Sequence, residues 1–156
     1  MIVAVSELPP YLPARGALIG VDVGTKRIGI ATSDPDRLLA SAVETIARGT
    51  FAAAAARLQA IVAERKAVGF ILGLPLNMDG SEGPRAQGVR AFARNLARLS
   101  DLPIALWDER LSSAAVERAL IVQDVSRARR AKVMDQHAAA FILQGALDRL
   151  ARNSPA

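Results

Sequence analysis

Residues 68–74 read Val-Gly-Phe-Ile-Leu-Gly-Leu, a run of strand length that contains no polar side chain. A strand with one face in water alternates polar and apolar residues, whereas a uniformly apolar strand is covered on both faces. Pro75 follows the run and cannot continue it as a central strand. The run therefore predicts a central strand of a mostly parallel sheet with helices on both sides.

The remaining pattern predicts strands and helices in the order βββαβαβαα. A short β-branched run at 18–23 and alternation over residues 27–32, with a turn at 24–26, predict an antiparallel hairpin. The other strands are predicted at 40–46 and 104–107, and the helices at 51–66, 84–99, about 112–122 and about 133–152, with a charged stretch at 123–132 between the last two. The fold class is therefore α/β, a five-stranded mixed sheet in which an antiparallel hairpin joins parallel strands, with helices on both faces.

The length of 156 residues is that of one domain. A chain of this length buries enough surface to fold without disulfides or a structural metal. Residues 1–16 hold three of the eight prolines and are predicted to form a flexible N-terminal extension before a single domain at 17–152. No apolar run approaches the roughly 20 residues of a membrane span. The N-terminus also lacks the pattern of a signal peptide, so we expect a cytoplasmic protein.

Composition restricts the chemistry. The chain has no cysteine and one histidine, which excludes disulfide scaffolds, thiol catalysis and multi-histidine zinc sites. Any metal must be held mainly by oxygen, which favours Mg²⁺ or Mn²⁺. The 20 Lys and Arg residues against 15 Asp and Glu leave a charge of +5, which suits an acidic partner such as nucleic acid.

Two acids stand in apolar surroundings. Asp22 interrupts an apolar strand two residues before a turn glycine, which suggests a ligand for metal or phosphate; alternatively, backbone N–H groups of the turn satisfy it. Asp135 is the one formal charge between Lys132 and Asp148. A buried carboxylate there would need a compensating cation, whereas an exposed acid in the first turn of the helix would simply favour the helix dipole.

Asp108 and Glu109 close the last predicted strand. Because side chains alternate along a strand, only one of these neighbours can face Asp22. Two acids at strand ends and one near a helix start suggest a carboxylate cluster. Such a cluster suits phosphodiester hydrolysis, in which divalent ions neutralise the phosphate and activate water.

Two further features carry weaker signals. The loop at 77–81 lacks the Gly-Lys-Ser/Thr of a phosphate-binding P-loop, but Asn77, Asp79 and Ser81 are candidates to lie near a phosphate; a tight loop is the alternative. His137 is two residues from Asp135, about 200° around the helix, and is therefore not expected to be a ligand.

Four stretches together resemble the YqgF (RuvX) family: Gly20-Val-Asp-Val-Gly-Thr-Lys-Arg-Ile-Gly, Gly73-Leu-Pro-Leu-Asn-Met-Asp-Gly-Ser, Asp108-Glu-Arg-Leu-Ser, and Asp135 with the alanine-rich helix after it. The resemblance implies an RNase H-like fold and a catalytic, metal-binding set of Asp22, Glu109 and Asp135. Glu109 is assigned by analogy with RuvC-like resolvases, with Asp108 as the substitute. RuvC-type resolvases usually carry a further acid upstream on the last helix, whereas this chain has none between Asp124 and Asp135.

The resemblance also implies a function, namely metal-dependent endonuclease processing of the 5′ end of pre-16S rRNA during ribosome biogenesis. The alternatives are a Holliday junction resolvase acting on branched DNA and a nucleic-acid-binding scaffold without turnover. Asp22-Val-Gly-Thr also resembles the phosphate hairpin of sugar kinases and chaperone-type ATPases. Either a monomer or a homodimer is compatible with the sequence.

The basic residues expected to contact nucleic acid are Lys26, Arg27, Arg110, Arg127, Arg129, Arg130 and Lys132. The last four fall within six residues just before Asp135. A helix start disfavours cations, so a phosphate backbone crossing the site would explain them better than a solvated segment does.

Replacing Arg129 and Arg130 with Ala should weaken binding to RNA or DNA of any sequence alike. Each lost phosphate contact should also reduce the slope of log affinity against log salt by roughly one unit, and by less for single strands. Fluorescence anisotropy across a salt series measures both effects. An unchanged slope would identify the segment as a solvated one.

Overall fold

The computed structural model describes residues 1–111 and 127–153, and for residues 127–136 it describes the backbone of a helix. The described part is one six-stranded sheet with helices on both faces. Its strands are β1 (Ile2–Ala4), β2 (Ala17–Val23), β3 (Arg27–Ser33), β4 (Ala40–Ala47), β5 (Ala67–Leu74) and β6 (Ile104–Asp108). Its α-helices are α1 (Phe51–Arg65), α2 (Pro84–Leu99) and α3 (Arg127–Asn153). None of the described helices could cross a bilayer on length and hydropathy.

The strand order is β1-β6-β5-β2-β3-β4. β1, β6, β5 and β2 pair in parallel, whereas β3 is antiparallel to both of its neighbours. This arrangement confirms the predicted mixed sheet and places the uniformly apolar β5 inside it. The carboxyl ends of β2, β5 and β6 therefore meet at one edge of the sheet.

The N-terminal segment is part of the fold. β1 pairs with β6 from Ile2 to Ala4, so the sheet has six strands and the prediction of five is wrong by one. Val5 and Leu8, in and after a short 3₁₀ turn, are buried beside α3. These contacts correct the expectation that residues 1–16 form a flexible extension.

The helix boundaries follow local signals except at α3. Thr50 caps α1 by accepting a hydrogen bond from the backbone N–H of Ala53, and Pro84 opens α2. α3 begins at Arg127, about six residues before its predicted start, so the basic residues thought to precede the helix belong to it. The helix predicted at 112–122 lies outside the described residues.

Two apolar layers cover the sheet. α1 and α2 pack on one face against residues such as Ile19 and Val21, while α3 packs on the other against Leu18 and Ile71. Close contact with α3 requires glycine: a Cβ atom on Gly20 would lie 2.7 Å from the Cβ of Leu143 and 2.9 Å from the carbonyl oxygen of Ala139. α3 therefore rests directly on the backbone of β2.

Gly20→Ala should destabilise the fold by about 1–3 kcal/mol, because the added methyl group forces α3 away from β2. Gly88→Ala is the matched control. Gly88 lies within α2 and a Cβ atom there meets nothing within 4 Å, so this variant should gain about 0.5–1 kcal/mol. Urea unfolding midpoints measure both changes. Equal effects of the two substitutions would contradict close packing at Gly20.

Candidate active site

Asp22 lies near the carboxyl end of β2, on the face that α3 covers. Its neighbours Val21 and Val23 belong to the opposite apolar layer, and strand alternation therefore turns Asp22 toward α3. The side chain is half-buried, and Gly29 stands opposite it on β3. Asp22 thus lies at the sheet edge where the parallel strands end.

Glu109 follows the last residue of β6, and its backbone N–H donates to the carbonyl of Leu74 at 3.1 Å. Its carboxylate lies over the backbone of β5: a Cβ atom on Gly73 would be 2.5 Å from Oε1 of Glu109 and 2.6 Å from Cδ1 of Ile142, a residue of α3. Glu109 therefore lies on the same face of the sheet as Asp22. Glycine at position 73 makes room for it.

Asp108 is engaged elsewhere. Arg110 bridges it, with Nη2 2.7 Å from Oδ2, and this guanidinium holds the pKa of Asp108 below its usual range. The same arginine donates to the carbonyl of Met78 at 3.3 Å and so ties the loop after β5 to the end of β6. Of the two adjacent acids, Glu109 is the one that the structure brings to Asp22.

The pKa of Glu109 depends on its burial and on the nearby Asp22. Burial raises the pKa of Glu109 to about 7, with further contributions from the negative charge of Asp22 and from a hydrogen bond to it. The positive charge of Arg85 acts in the opposite direction on the same pKa. The two carboxyl groups thus share a proton near neutral pH, where a bound cation would replace that proton.

Asp135 is the ninth residue of α3 and does not lie in its first turn, so the helix dipole does not account for it. It stands one turn before Ala139, whose carbonyl lies against Gly20. Gln144, further along α3, accepts from the backbone N–H of Ala40, which pairs with the far end of β3. α3 therefore runs antiparallel to β2, and the turn containing Asp135 lies toward the Asp22 end of that strand.

Asp22 and Glu109 form a pair, and within the described side chains no three His, Cys, Asp or Glu residues come together as a metal site. The side chain of Asp135 lies outside that description, as do those of Arg127, Arg129, Arg130 and Lys132. Half-buried carboxylate oxygens are the donors that Mg²⁺ and Mn²⁺ prefer. The pair therefore fits part of the ligand set of a hard divalent cation.

An open cleft of about 380 Å³ borders Asp22. The residues lining it are Asp22, Gly24, Thr25, Lys26, Arg27, Gly29 and Arg85. The hairpin wall is braced from β4, because Arg48 donates through Nη1 to the carbonyl of Gly24 at 2.7 Å and through its backbone N–H to that of Lys26 at 3.0 Å. Three cations and one acid around an open space suit an anionic ligand.

The loop at 77–81 satisfies its own polar groups. The side chain of Asn77 donates to Oγ of Ser81 at 3.0 Å, and that hydroxyl donates to Oδ1 of Asp79 at 2.6 Å. The loop residues are absent from the lining of the Asp22 cleft. This geometry is that of a tight loop, and it gives no support to a phosphate contact by these three residues.

Sequence reasoning missed Arg85, Arg48 and the reason for Gly73. Arg85 is the second residue of α2, where the helix dipole disfavours a cation, and this unfavourable placement was the available signal. Arg48 carries no such signal because its contact depends on how β4 pairs with β3. Among the predicted residues, the structure brings Lys26 and Arg27 to the cleft of Asp22 and places Arg110 against Asp108 instead.

Known proteins share this sequence closely. Residues 16–149 match the RuvX family, described as Holliday junction resolvase. The chain belongs to the RuvX family. A "Putative pre-16S rRNA nuclease" of Rhodopseudomonas palustris (strain TIE-1) is 71% identical over 151 residues, covering 97% of this chain and 94% of that protein. The protein of the same name in Nitrobacter winogradskyi is 74% identical over 145 residues, covering 93% and 89%.

Solved structures share the fold of this RuvX protein at low sequence identity. A RuvC from T. thermophilus in complex with a Holliday junction substrate has a TM-score of 0.56 and 12% identity, over 88% of this chain and 95% of that one. The yeast mitochondrial Holliday junction resolvase Ydc2 has a TM-score of 0.52 and 12% identity, over 95% and 83%. These similarities confirm the predicted α/β class and show that the chain shares the fold of these two resolvases.

The shared proton makes the stability of this RuvX protein depend on pH. Between pH 4.5, the ordinary pKa of a glutamate, and about 7, the folded state keeps a proton that the unfolded state has lost. The free energy of unfolding therefore falls as pH rises through this window. Glu109→Gln should remove that fall and gain up to about 3 kcal/mol relative to the wild type between pH 4.5 and 8.

Urea unfolding of both proteins in EDTA at several pH values measures the difference. EDTA removes divalent cations, which would otherwise mask the repulsion between the carboxylates of Asp22 and Glu109. Parallel pH profiles for the wild type and Glu109→Gln would contradict a shared proton at Glu109.

Proposed function

We propose that this chain is a metal-dependent endonuclease that hydrolyses phosphodiester bonds in structured nucleic acid, with the 5′ end of pre-16S rRNA as its substrate. The observation that carries the proposal is the Asp22–Glu109 pair, held at the carboxyl ends of parallel strands beside a cleft lined by cations. A pair of carboxylates beside a group of cations is what a metal-assisted reaction on a phosphate backbone requires.

The proposed cofactor is Mg²⁺ or Mn²⁺, held by Asp22, Glu109 and Asp135. Such an ion, when bound, neutralises the phosphate and lowers the pKa of the attacking water. Glu109 would hold the ion in its ionised form, and its position directly after β6 keeps its carboxylate over Gly73. Lys26 and Arg27 bind the phosphate backbone from the braced hairpin. Asp135 completes the ligand set from the turn of α3 nearest to this end of β2.

RNA is the favoured substrate because the strongest similarity points to it. The relatives named as pre-16S rRNA nucleases exceed 70% identity over about nine-tenths of both chains. The resolvase relation rests on the description of the family and on a fold shared at 12% identity. Branched DNA is the second candidate, since it offers the same phosphates to the same carboxylates. The kinase or ATPase interpretation has no support from the family match.

The decisive experiment uses purified protein with end-labelled pre-16S RNA and, separately, a labelled four-way DNA junction, each in Mn²⁺, Mg²⁺ or EDTA. We expect cleavage of the RNA near its 5′ end in either metal and none in EDTA. Cleavage of the junction alone would identify a resolvase. Binding of both substrates with no cleavage in any metal would identify a scaffold.

Asp22→Asn and Glu109→Gln should each lower single-turnover cleavage more than about 100-fold, because losing a ligand costs more than losing the partner that orients one. Asp108→Asn is the matched control: it also removes one negative charge, one residue away, yet should stay close to wild type. The same assay in Mn²⁺ compares the three proteins. Loss of cleavage in Asp108→Asn with retention in Glu109→Gln would reverse the assignment.

A further inference from the structure

α2 carries four arginines and no acid, and one of these arginines differs from the rest in position. Arg90 is bound by Glu82 at 2.6 Å, and Arg98 lies 3.5 Å from the side-chain oxygen of Asn95. Arg90, Arg94 and Arg98 follow one another at intervals of four residues and share one stripe of the helix. Arg85 is about 140° around the helix from Arg90 and lies outside that stripe.

Arg85 lines the cleft beside Asp22 from an element other than the hairpin, namely the first turn of α2. It lines the cleft together with Asp22, Lys26 and Arg27, and its charge reaches Glu109. Its side chain is exposed and makes no hydrogen bond to any other residue that the structure describes. Within the part of the chain that the structure describes, Arg85 is therefore a cation at an acidic site that is available to a ligand.

The charge of the cleft indicates what that ligand is. Lys26 and Arg27 line the cleft from the hairpin between β2 and β3, Arg85 lines it from the start of α2, and Asp22 is the one acid among the lining residues. An arginine whose role is to neutralise a carboxylate forms an ion pair with it, as Arg110 does with Asp108. Arg85 instead lies in the first turn of α2, where the helix dipole favours an anion and disfavours a second cation.

We propose that Arg85 is a substrate-binding residue that holds the phosphate backbone of the nucleic acid in the cleft, together with Lys26 and Arg27. This inference rests on the proposed function and deepens it. Cations from the hairpin and from α2 would then hold the phosphate backbone together, beside Asp22. The planar guanidinium also suits two phosphate oxygens at once, which an ammonium group cannot match.

The test compares Arg85→Gln, Arg85→Lys and the control Arg94→Gln. Arg94 is exposed on the same helix, about 180° away, so its replacement changes the net charge equally without touching the cleft. Binding of a fluorescein-labelled RNA oligonucleotide is measured by anisotropy in Ca²⁺ across a salt series. Single-turnover cleavage of the same RNA is measured in Mn²⁺.

We expect Arg85→Gln to reduce the salt slope by about 0.7, the value for one phosphate contact on a single strand. Cleavage should fall about 10- to 100-fold, the loss of one hydrogen bond to a charged group. Arg85→Lys should restore the slope and only part of the rate, and Arg94→Gln should behave as wild type.

A slope unchanged in Arg85→Gln, or reduced equally in Arg94→Gln, would overturn the role of Arg85. Because the slope is a property of binding, this result is independent of whether the protein cleaves RNA. Normal binding slopes without cleavage by the wild type would instead count against the proposed nuclease. A wild type that shows no salt-dependent binding would overturn both.

Discussion

The contact between α3 and the backbone of the central strands determines the geometry of the site. Because Gly20 and Gly73 have no side chains, α3 lies against the backbone of β2, and Ile142 reaches the backbone of β5. The space over Gly73 is filled by the carboxylate of Glu109. A larger residue at Gly20 would push α3 away from β2, and one at Gly73 would displace Glu109 and Ile142. The placement of Glu109 beside Asp22 is thus a consequence of close packing between α3 and the sheet.

This packing also carries an energetic cost. Burial and the charge of Asp22 raise the pKa of Glu109, so one carboxyl of the pair resists ionisation near neutral pH. A fold with two complete apolar layers can sustain that cost, because the buried side chains on both faces of β2 and β5 hold the strands in register. Functional sites commonly combine a perturbed acid with a rigid frame in this way.

Strand periodicity predicts much of this architecture. Residue patterns predict the uniformly apolar β5 and the antiparallel hairpin. The alternation of side chains along a strand also requires that only one of Asp108 and Glu109 face Asp22. The sequence does not predict β1, because three residues before a proline-rich segment are too few to show strand alternation. The start of α3 was missed because basic residues disfavour a helix N-terminus and indicate a loop. Arg85 lines the cleft and Arg48 braces its hairpin because of tertiary contacts, which no local pattern contains.

The distribution of charge in the cleft limits what the enzyme can recognise there. The described lining residues include cations, one acid and backbone from glycines, but no aromatic ring on which a base could stack. Contacts of this kind position a phosphate backbone and carry no sequence information. Arg48 braces the hairpin beside the cleft through its hydrogen bonds to the carbonyls of Gly24 and Lys26. Substrate choice in such a site depends on the path of the strand through it, and therefore on the folded shape of the nucleic acid.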